Sequence, residues 1–268
     1  MNLLDKLKSL ENSNSTEKVI ARYILKHRAD VSRMSIDQLA KSTYCSRSSI
    51  VRFAQKLGFT GFKSLKIKLV ELDQILLLTD NSVDANFPFD KRDNTNEVMK
   101  KIADLSIGTI KKTLAQLEFR AVDEAANTMI KSRNIFIFAR GDSQIRARSF
   151  QNRMVKLGIF IIIAEEYSDE IWVAKNIKKG DCAIFISYGS KSTIYGGIIK
   201  DLNTKNIDII MITGNIESGL IKKNSILLTV VQDEKDNNKI STFSSQVAFD
   251  FLLNTLFSKI YLLLNINK

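Results

Sequence analysis

Apolar residues along the first 78 positions recur every three to four residues, the spacing of helices with one buried face. Two short apolar stripes lie close together, separated by a polar break at residues 42–45. The first stripe consists of Ile36, Leu39 and Ala40, and the second of Ile50, Val51, Phe53, Ala54 and Leu57. Ser35 or Asp37 supports the start of the first helix, and Gly58 ends the second. The pattern predicts a helix-turn-helix.

The outward face of the second helix carries hydroxyl and basic side chains. They are Ser46, Arg47, Ser48, Ser49, Arg52 and Lys56. The second helix of such a motif commonly lies in the major groove of DNA, where hydroxyl and guanidinium groups suit phosphates and base edges. Secondary phosphate contacts are expected from Lys18, Arg22 and Lys63. The alternative is a helical hairpin whose polar face is only solvated.

From residue 134 the pattern changes to short apolar runs rich in β-branched residues. The runs lie at 134–139, 159–163, 182–187, 207–212 and 226–231. Such runs are typical of strands buried on both faces of a parallel sheet. Helical stretches separate them at 143–157, 168–178, 191–205 and 216–222, and a long terminal helix covers 241–264. The alternation predicts a doubly wound α/β domain with five strands.

Residues 79–96 separate the two patterns. They are rich in Asn, Asp and Ser and contain the only proline, Pro88, which is the composition of a linker. Helical periodicity returns at Glu97. We therefore expect a first domain at 1–78, a linker at 79–96 and a second domain at 97–268.

The net charge of +11 favours a polyanionic partner. Residues 1–75 contain 14 basic and 7 acidic residues, so the excess lies with the predicted reading helix. Two isolated cysteines predict neither a disulfide framework nor a zinc site. With no recognisable signal peptide or membrane-length apolar run, they indicate a reducing cytoplasm and no membrane partner. The only histidine, His27, excludes His-based catalysis in the C-terminal part.

Three stretches of the first domain carry a family resemblance. SIVRFAQKLGFTGFKSLK at 49–66, preceded by MSIDQLA at 34–40 and STEKVIARYILKH at 15–27, resembles the N-terminal domain of the RpiR/MurR family of bacterial transcriptional regulators. The turn of that family usually contains a glycine, which permits a left-handed backbone, whereas this chain has Tyr44 and Cys45. We therefore expect an altered or strained turn. The resemblance implies a regulator that binds double-stranded, pseudo-palindromic operator DNA as a homodimer or homotetramer.

Two loops follow predicted strands and precede predicted helices. ARGDSQIRARS at 139–149 supplies Gly141 and Ser143, and SYGSKST at 187–193 supplies Ser187, Gly189, Ser190 and Ser192. Backbone N–H groups at a helix start bind anions, and ligands of such sheets lie at the carboxyl ends of strands. Arg140 and Lys191 add positive charge that suits a phosphate. The alternative is that each hydroxyl only caps its helix.

The C-terminal half resembles a SIS (sugar isomerase) domain, a flavodoxin-like fold that binds phosphosugars. The first loop of that family reads Gly-x-Gly-x-Ser, of which this chain keeps Gly141 and Ser143. The loop after the third strand reads Ser-x-Ser-Gly-x-Thr. Here Ser187 matches, Ser192 replaces the threonine, and Gly189 and Ser190 invert the central pair.

The segment STFSSQVAFDFL, at 241–252, resembles the family segment in which a Ser-Arg pair opens the last helix. Ser245 matches the serine and Gln246 replaces the arginine, while Glu234 stands where the family often has an acidic residue near the sugar. The resemblance implies an α + α/β protein, a helix-turn-helix domain followed by a five-stranded parallel SIS domain that binds a phosphorylated sugar or amino-sugar effector.

Three functions are consistent with these patterns. The preferred one is a phosphosugar-responsive regulator of carbohydrate metabolism genes, and the second is a regulator whose SIS domain is only a dimerisation scaffold. The third is a phosphosugar isomerase, which needs a tuned base that no spacing of carboxylates marks. No metal-ligand cluster or phosphate-binding Walker loop is present in the sequence, so no catalytic residue, metal or cofactor is predicted.

Overall fold

The computed structural model describes residues 3–11, 16–77, 83–164, 169–190, 192–221, 225–235 and 238–265. The chain divides into two compact units, residues 1–81 and residues 82–268. The predicted fold class is confirmed, because a helical unit precedes a unit built on a parallel sheet.

The described residues of the first unit form helices and turns. The helices are α1 (Leu3–Glu11), α2 (Thr16–Lys26), α3 (Arg28–Val31), α4 (Ile36–Thr43), α5 (Arg47–Lys56) and α6 (Phe62–Leu77). Their apolar stripes meet in one core around Ile24, Leu39, Phe53 and Leu65, which are almost completely buried. The spacing of apolar residues therefore identified the inner faces of α4 and α5 correctly.

The second unit alternates helices and strands. Its helices are α7 (Thr95–Gln116), α8 (Phe119–Lys131), α9 (Asp142–Met154), α10 (Glu170–Asn176), α11 (Thr193–Thr204) and α12 (Ser244–Asn265). Its strands are β1 (Ile135–Ala139), β2 (Ile161–Ile163), β3 (Cys182–Ile186), β4 (Asp208–Thr213) and β5 (Ile226–Thr229). They pair in the order β2-β1-β3-β4-β5, and every pairing is parallel.

This strand order places the loops after β1 and β3 side by side. The chain crosses from β1 to β2 on one side and then returns to β3 on the other, so the strand order switches direction between β1 and β3. Ala139 pairs with Ile186 at the carboxyl ends of these two strands. Ligands of open α/β sheets bind at such a switch point.

Apolar side chains cover both faces of the sheet, as the continuous apolar runs predict. One core packs the sheet against α8, α9 and α12, and the other packs it against α10 and α11. Helix α12 has a mean hydropathy of 1.6 and meets the length and composition of a membrane span. Its residues Leu252, Leu256 and Ile260 are buried in the first of these cores, which is the position of a core helix.

The helix predicted at 216–222 is wrong for the residues that the structure describes there, 216–221, which form turns. Two side chains bind the backbone locally: Asn215 Oδ1 accepts from Glu217 N at 3.2 Å and Ser218 Oγ accepts from Leu220 N at 3.2 Å. Such bonds compete with helical hydrogen bonds, and Gly219 weakens the helix further.

The predicted linker at 79–96 is described from residue 83 onward. Residues 83–94 belong to the second unit, where Ala85, Asn86 and Pro88 are buried, and α7 starts at Thr95. Asn94 caps α7, since its side chain accepts from Glu97 N at 3.1 Å and its backbone N donates to the Glu97 carboxylate at 2.8 Å.

Candidate functional sites: the α5 face and the strand-end crevice

Helix α4 is fixed at its start by a reciprocal pair of hydrogen bonds. Ser35 Oγ accepts from Gln38 N at 3.2 Å, and Ser35 N donates to Gln38 Oε1 at 2.6 Å. Ser35 is therefore the capping residue of the two that the sequence suggested. Asp37 instead forms an ion pair with Arg47 across the turn.

The turn between α4 and α5 keeps a left-handed backbone without a glycine. Tyr44 has φ 54° and ψ 34°, and Cys45 N donates to the carbonyl of Ala40 at 3.0 Å. Most L-residues adopt this conformation at an energetic cost. The Tyr44 side chain is 97% exposed, so it gains little packing in return.

Helix α5 presents its polar face while its apolar face is anchored. Ser46 caps the helix by accepting from Ser49 N at 3.1 Å, and its hydroxyl lies 2.8 Å from that of Ser48 and 2.9 Å from that of Ser49. Ile50 and Phe53 are buried beneath. The three hydroxyls thus form one cluster at the helix start.

The helix ends as predicted at Gly58. This residue has φ 95°, and Phe59 N donates to the carbonyl of Ala54 at 3.0 Å. A glycine with a left-handed backbone at this position lets the following N–H groups bond to the last carbonyls of the helix.

The three cations of α5 differ in how they are paired. Arg47 pairs with Asp37, and Lys56 Nζ lies 2.6 Å from the carboxylate of Glu17. Arg52 is exposed and has no hydrogen bond or ion pair within the part of the chain that the structure describes. Its guanidinium is therefore the least compensated charge on this face.

The secondary candidates lie on neighbouring helices. Arg22 and Lys63 are exposed and Lys18 is half-buried.

The loop after β1 is shaped by Gly141. Its φ of 57° and ψ of −135° suit glycine, and its carbonyl accepts from Gln144 N at 3.0 Å at the start of α9. Ser143 is half-buried in the first turn of this helix. The Asp142 carboxylate accepts a hydrogen bond from Thr242, which ties this loop to the residues before α12.

Arg140 is paired within the protein. It donates to both carboxylate oxygens of Glu170, a side chain that is 6% exposed, and it lies 5.7 Å from the Tyr195 ring centroid. Lys191, the other cation expected to favour a phosphate, lies outside the described residues.

In the loop after β3, Ser190 is turned inward. Its Oγ lies 2.7 Å from Thr213 Oγ1 and 2.9 Å from the carbonyl oxygen of Ser187, and the residue is 4% exposed. Its φ of 47° is left-handed. The inverted Gly189-Ser190 pair therefore places a hydroxyl inside the loop, where it stabilises the loop through its contacts with Thr213 and Ser187.

The other two predicted serines of this loop, Ser187 and Ser192, are half-buried. Ser192 caps α11 by accepting from Tyr195 N at 3.3 Å, and Ser187 N donates to the carbonyl of Ile212 at 3.0 Å. Asn215 Nδ2 donates to the carbonyl of Gly189 at 3.0 Å.

Glu234 is a second buried carboxylate at the strand-end crevice, the edge of the sheet formed by the loops after β1 and β3 and the residues before α12. Its side chain has no exposed surface. Its carboxylate accepts from Ser245 N at 2.8 Å, from Ser245 Oγ at 3.0 Å and from Lys239 Nζ at 2.8 Å. These donors satisfy both oxygens at the first turn of α12.

Tyr188 connects Glu234 to the loop after β3. Its hydroxyl accepts from Glu234 N at 3.0 Å, and Lys239 Nζ lies 5.7 Å from its ring centroid. Burial raises the pKa of Tyr188 well above its ordinary value, and the neighbouring Glu234 and Asp233 carboxylates add to the rise. The phenol therefore stays protonated at neutral pH.

These contacts bring three helix starts to one edge of the sheet. The Asp142–Thr242 contact joins the start of α9 to the residues before α12, and the Tyr188–Glu234 contact joins the loop before α11 to the same residues. Backbone N–H groups at helix starts favour anions. The arrangement suits a phosphate with a hydroxylated body.

Sequence reasoning named Glu234 and Ser245 but missed Tyr188, Lys239 and Thr213. Tyr188 lies inside the quoted SYGSKST loop, so its position was a usable signal. Lys239 follows Glu234 by five residues in a polar segment, where nothing in the pattern separates a buried cation from a solvated one.

Two family models match the chain in succession. Residues 1–74 match the helix-turn-helix domain of the rpiR family, and residues 128–257 match the SIS domain. An uncharacterized HTH-type transcriptional regulator in the aarA 3′ region of Providencia stuartii is 24% identical over 264 residues, 98% of this chain and 92% of that protein. The HTH-type transcriptional regulator HexR of Pseudomonas aeruginosa is 24% identical over 192 residues, 71% of this chain and 66% of that protein.

Solved structures share the fold. The Vibrio vulnificus NanR protein complexed with ManNAc-6P aligns with a TM-score of 0.55 and 20% identity, over 97% of this chain and 91% of that chain. A putative sugar-phosphate isomerase of Listeria monocytogenes aligns with a TM-score of 0.56 and 16% identity, over 65% of this chain and 93% of that chain.

Proposed function

The chain belongs to the rpiR family of helix-turn-helix transcriptional regulators, and on that premise we propose that it regulates carbohydrate metabolism genes in response to a phosphorylated sugar or amino-sugar. The first unit is the reader of a pseudo-palindromic operator and the second is the sensor. In this proposal the reader corresponds to residues 1–78 and the sensor to residues 97–268.

The observation that supports operator binding most strongly is the α5 face. Its apolar side is buried, its hydroxyls cluster at the helix start, and Arg52 extends into solvent without an ion pair in the described part of the chain. Protruding hydroxyl and guanidinium groups of this kind suit a groove lined by phosphates and base edges. We assign DNA contacts to Ser46, Arg47, Ser48, Ser49, Arg52 and Lys56.

The crevice supports phosphosugar binding through its three helix starts. We assign ligand contacts to Gly141, Ser143, Ser187, Gly189, Ser190, Ser192 and Glu234, with Ser190 acting through the loop that it braces. The structural relative NanR was solved with ManNAc-6P, which makes an amino-sugar phosphate a natural first test compound.

Self-association is supported by exposed apolar side chains on the second unit. Met99, Ile107 and Leu114 on α7 are 67%, 49% and 56% exposed. Exposed apolar patches mark association surfaces, and a two-fold dimer matches a pseudo-palindromic site. A homodimer or homotetramer in the cytoplasm, without a membrane partner, is the assembly proposed.

The operator is tested by selecting duplexes from a random pool with the full chain. Enriched sequences with two inverted half-sites about one helical turn apart are expected. Absence of any enriched sequence, in a protein that folds, contradicts operator binding. The enriched duplex then serves for all affinity measurements.

The effector is tested by thermal shift against N-acetylmannosamine 6-phosphate, N-acetylglucosamine 6-phosphate, glucosamine 6-phosphate and glucose 6-phosphate. A compound present at 100 times its Kd stabilises the folded state by about 2.7 kcal/mol. A selective shift that also changes the Kd for the selected duplex supports the sensor role.

A second candidate function is a regulator whose SIS domain only holds the dimer together. The inward Ser190 hydroxyl and the Arg140–Glu170 pair favour it, because both groups are already satisfied by the protein. Operator binding without any thermal shift in the panel supports this alternative. Turnover of a sugar phosphate by the purified chain would instead contradict the proposal that the protein is not an enzyme.

A further inference from the structure

The segment that leads from the first unit into the second is held by the loop before α12. Asn86 is 6% exposed. Its Nδ2 donates to the carbonyl of Asp233 at 3.3 Å, its Oδ1 accepts from Lys235 N at 2.6 Å, and its own carbonyl accepts from Ile240 N at 2.9 Å. A single residue thus binds both arms of the pre-α12 loop, defined as residues 233–235 and 238–240.

Two hydrogen bonds within the same segment and one ring contact to the chain before α12 add to these bonds. Asp84 Oδ1 accepts from Asn86 N at 2.9 Å and from Asn86 Nδ2 at 2.8 Å. These hydrogen bonds lower the pKa of Asp84, so the carboxylate remains an acceptor at neutral pH. Phe89 meets Phe243 edge-on, with ring centroids 6.2 Å apart. Asn86 therefore binds the pre-α12 loop directly, Asp84 holds Asn86 in place, and Phe89 contacts the residue before α12.

The pre-α12 loop also carries the charged pair of the crevice. Glu234 and Lys239 form their ion pair at 2.8 Å, and their chain neighbours Asp233, Lys235 and Ile240 are the groups that bind Asn86. Because the two sets of contacts alternate along one short loop, a displacement of the pair moves the partners of Asn86.

We propose that Asn86 is a positioning residue that couples the Glu234–Lys239 pair to the chain leading to the DNA-binding unit. The inference rests on the proposed function, in which the crevice takes a phosphosugar. Val83 follows Leu77, the last residue of α6, by six positions, so the covalent path is short. A carboxamide suits this place because it donates and accepts at once, and a buried amide that loses one partner is strongly disfavoured.

Hydrogen–deuterium exchange of the full chain tests the coupling without DNA or ligand. Asn86→Ala removes the Oδ1 acceptor of the Lys235 amide and is expected to speed the exchange of that amide by about threefold to tenfold. Lys239→Ala is expected to speed exchange in residues 83–90, and this effect is expected to disappear in the double variant. Unchanged exchange in residues 83–90, or the same acceleration in both backgrounds, overturns the proposal.

A matched control separates coupling from loss of stability. Asn94→Ala removes the α7 cap, eight residues further along, and leaves the pre-α12 loop untouched. It is expected to lower the melting temperature without changing exchange at Lys235 or Ile240. If Asn86→Ala does not fold, Asn86→Asp repeats the experiment, since it keeps the shape and one acceptor but lacks the Nδ2 donor.

The functional readout is the change in Kd for the selected duplex on adding each sugar phosphate of the panel. A wild-type change within the usual range of about 5-fold to 150-fold is expected to fall below about twofold in Asn86→Ala and to persist in Asn94→Ala. An equal loss in both variants overturns the proposal. If no compound changes the wild-type Kd, the sensor role fails, and the exchange experiment alone still decides the role of Asn86.

Discussion

The α5 face and the strand-end crevice both offer hydroxyl and charged side chains, but the fold holds them in opposite ways. On α5, Ile50 and Phe53 anchor the helix from beneath and Arg52 extends into solvent. In the crevice, Glu234 and Ser190 are buried and bound to other protein groups. One site is a set of exposed side chains on a rigid support, and the other is a backbone shape maintained by buried polar contacts.

This difference separates affinity from stability. Removing the exposed Arg52 side chain leaves no group without its partner in the described part of the chain, so only contacts to a binding partner are lost. Removing a buried polar side chain from the crevice leaves its partners without hydrogen bonds, which destabilises the second unit before any ligand is considered. Substitutions at the two sites are therefore expected to change different measurements.

The largest expected effect is the loss of stability in Glu234→Ala. The substitution leaves the Lys239 ammonium and Ser245 N without their acceptor, and breaking a buried pair in this way costs about 3 kcal/mol or more. For a unit of this size, calorimetry should show the corresponding transition about 6–12 °C lower. The transition of the first unit should stay in place.

Glu217→Ala is the matched control, because it removes a carboxylate that is exposed on the same unit. Its transition is expected to move by less than 2 °C, as surface substitutions usually change stability by no more than about 0.5 kcal/mol. Equal shifts in the two variants would contradict the view that buried contacts maintain the crevice.

The next largest effect is expected at the α5 face and in affinity alone. Arg52→Ala should weaken binding to the selected duplex by about 1–3 kcal/mol, which is roughly 5-fold to 150-fold. Its melting temperature should match that of the wild type, because the guanidinium has no internal partner in the described part of the chain. Fluorescence anisotropy and a thermal melt measure the two quantities.

Lys56→Ala provides the comparison on the same helix. Lys56 already pairs with Glu17 at 2.6 Å, so its removal should weaken DNA binding less than Arg52→Ala does. The slope of the logarithm of the binding constant against the logarithm of the salt concentration should fall by at most about one. A larger loss of affinity in Lys56→Ala than in Arg52→Ala would place the centre of the DNA contact elsewhere on α5.

The contrast between the two sites also explains what the sequence predicts. The strands, the buried stripes of α4 and α5 and the ends marked by Ser35 and Gly58 follow from local periodicity and capping chemistry. The presence of hydroxyls at helix starts was equally predictable from the sequence. The direction in which each hydroxyl points was not predictable, because it depends on side chains that are distant in the sequence. Ser190, for example, binds Thr213, twenty-three residues later.

Nonlocal contacts also decided the missed residues. In the sequence, Asn86 has the surroundings of a polar linker. It is buried because it packs against Asp233 and Lys235, which lie about 150 positions further on and which no local pattern connects to it. In contrast, the turns at 216–221 formed where a helix was predicted because of local bonds from Asn215 and Ser218. The helical periodicity of apolar residues there was a weaker influence than side-chain bonds to the backbone.

A smaller effect is expected when acid lowers the stability of the second unit through Asp181. The Asp181 side chain is 2% exposed. Its burial raises its pKa, but hydrogen bonds from Lys178 N, Asn134 and Arg133 outweigh burial and hold the pKa below its usual value. The stability it provides is therefore present above the unfolded-state pKa of 3.8 and is lost as the pH falls through the lower folded-state pKa.

Urea unfolding between pH 2 and pH 7 measures this dependence. Asp181→Asn is expected to lower the stability of the second unit by about 1–2 kcal/mol at pH 7 and to flatten its decline in acid. An unchanged acid limb in Asp181→Asn would assign the acid sensitivity to other carboxylates.

The smallest effect is expected at the turn that supports the α5 face, and it has the opposite sign. Tyr44 has a left-handed backbone, and its side chain is 97% exposed, so Tyr44→Gly relieves strain and removes almost no packing. After allowing for the greater freedom of glycine in the unfolded chain, we expect the free energy of unfolding to rise by about 0.5–1 kcal/mol.

Asn206→Gly, at φ 53° in the second unit, is the control. Its stability should rise less, because asparagine tolerates this conformation. A lower melting temperature for the first unit in Tyr44→Gly would show that the exposed ring, and not only the buried face of α5, stabilises the turn.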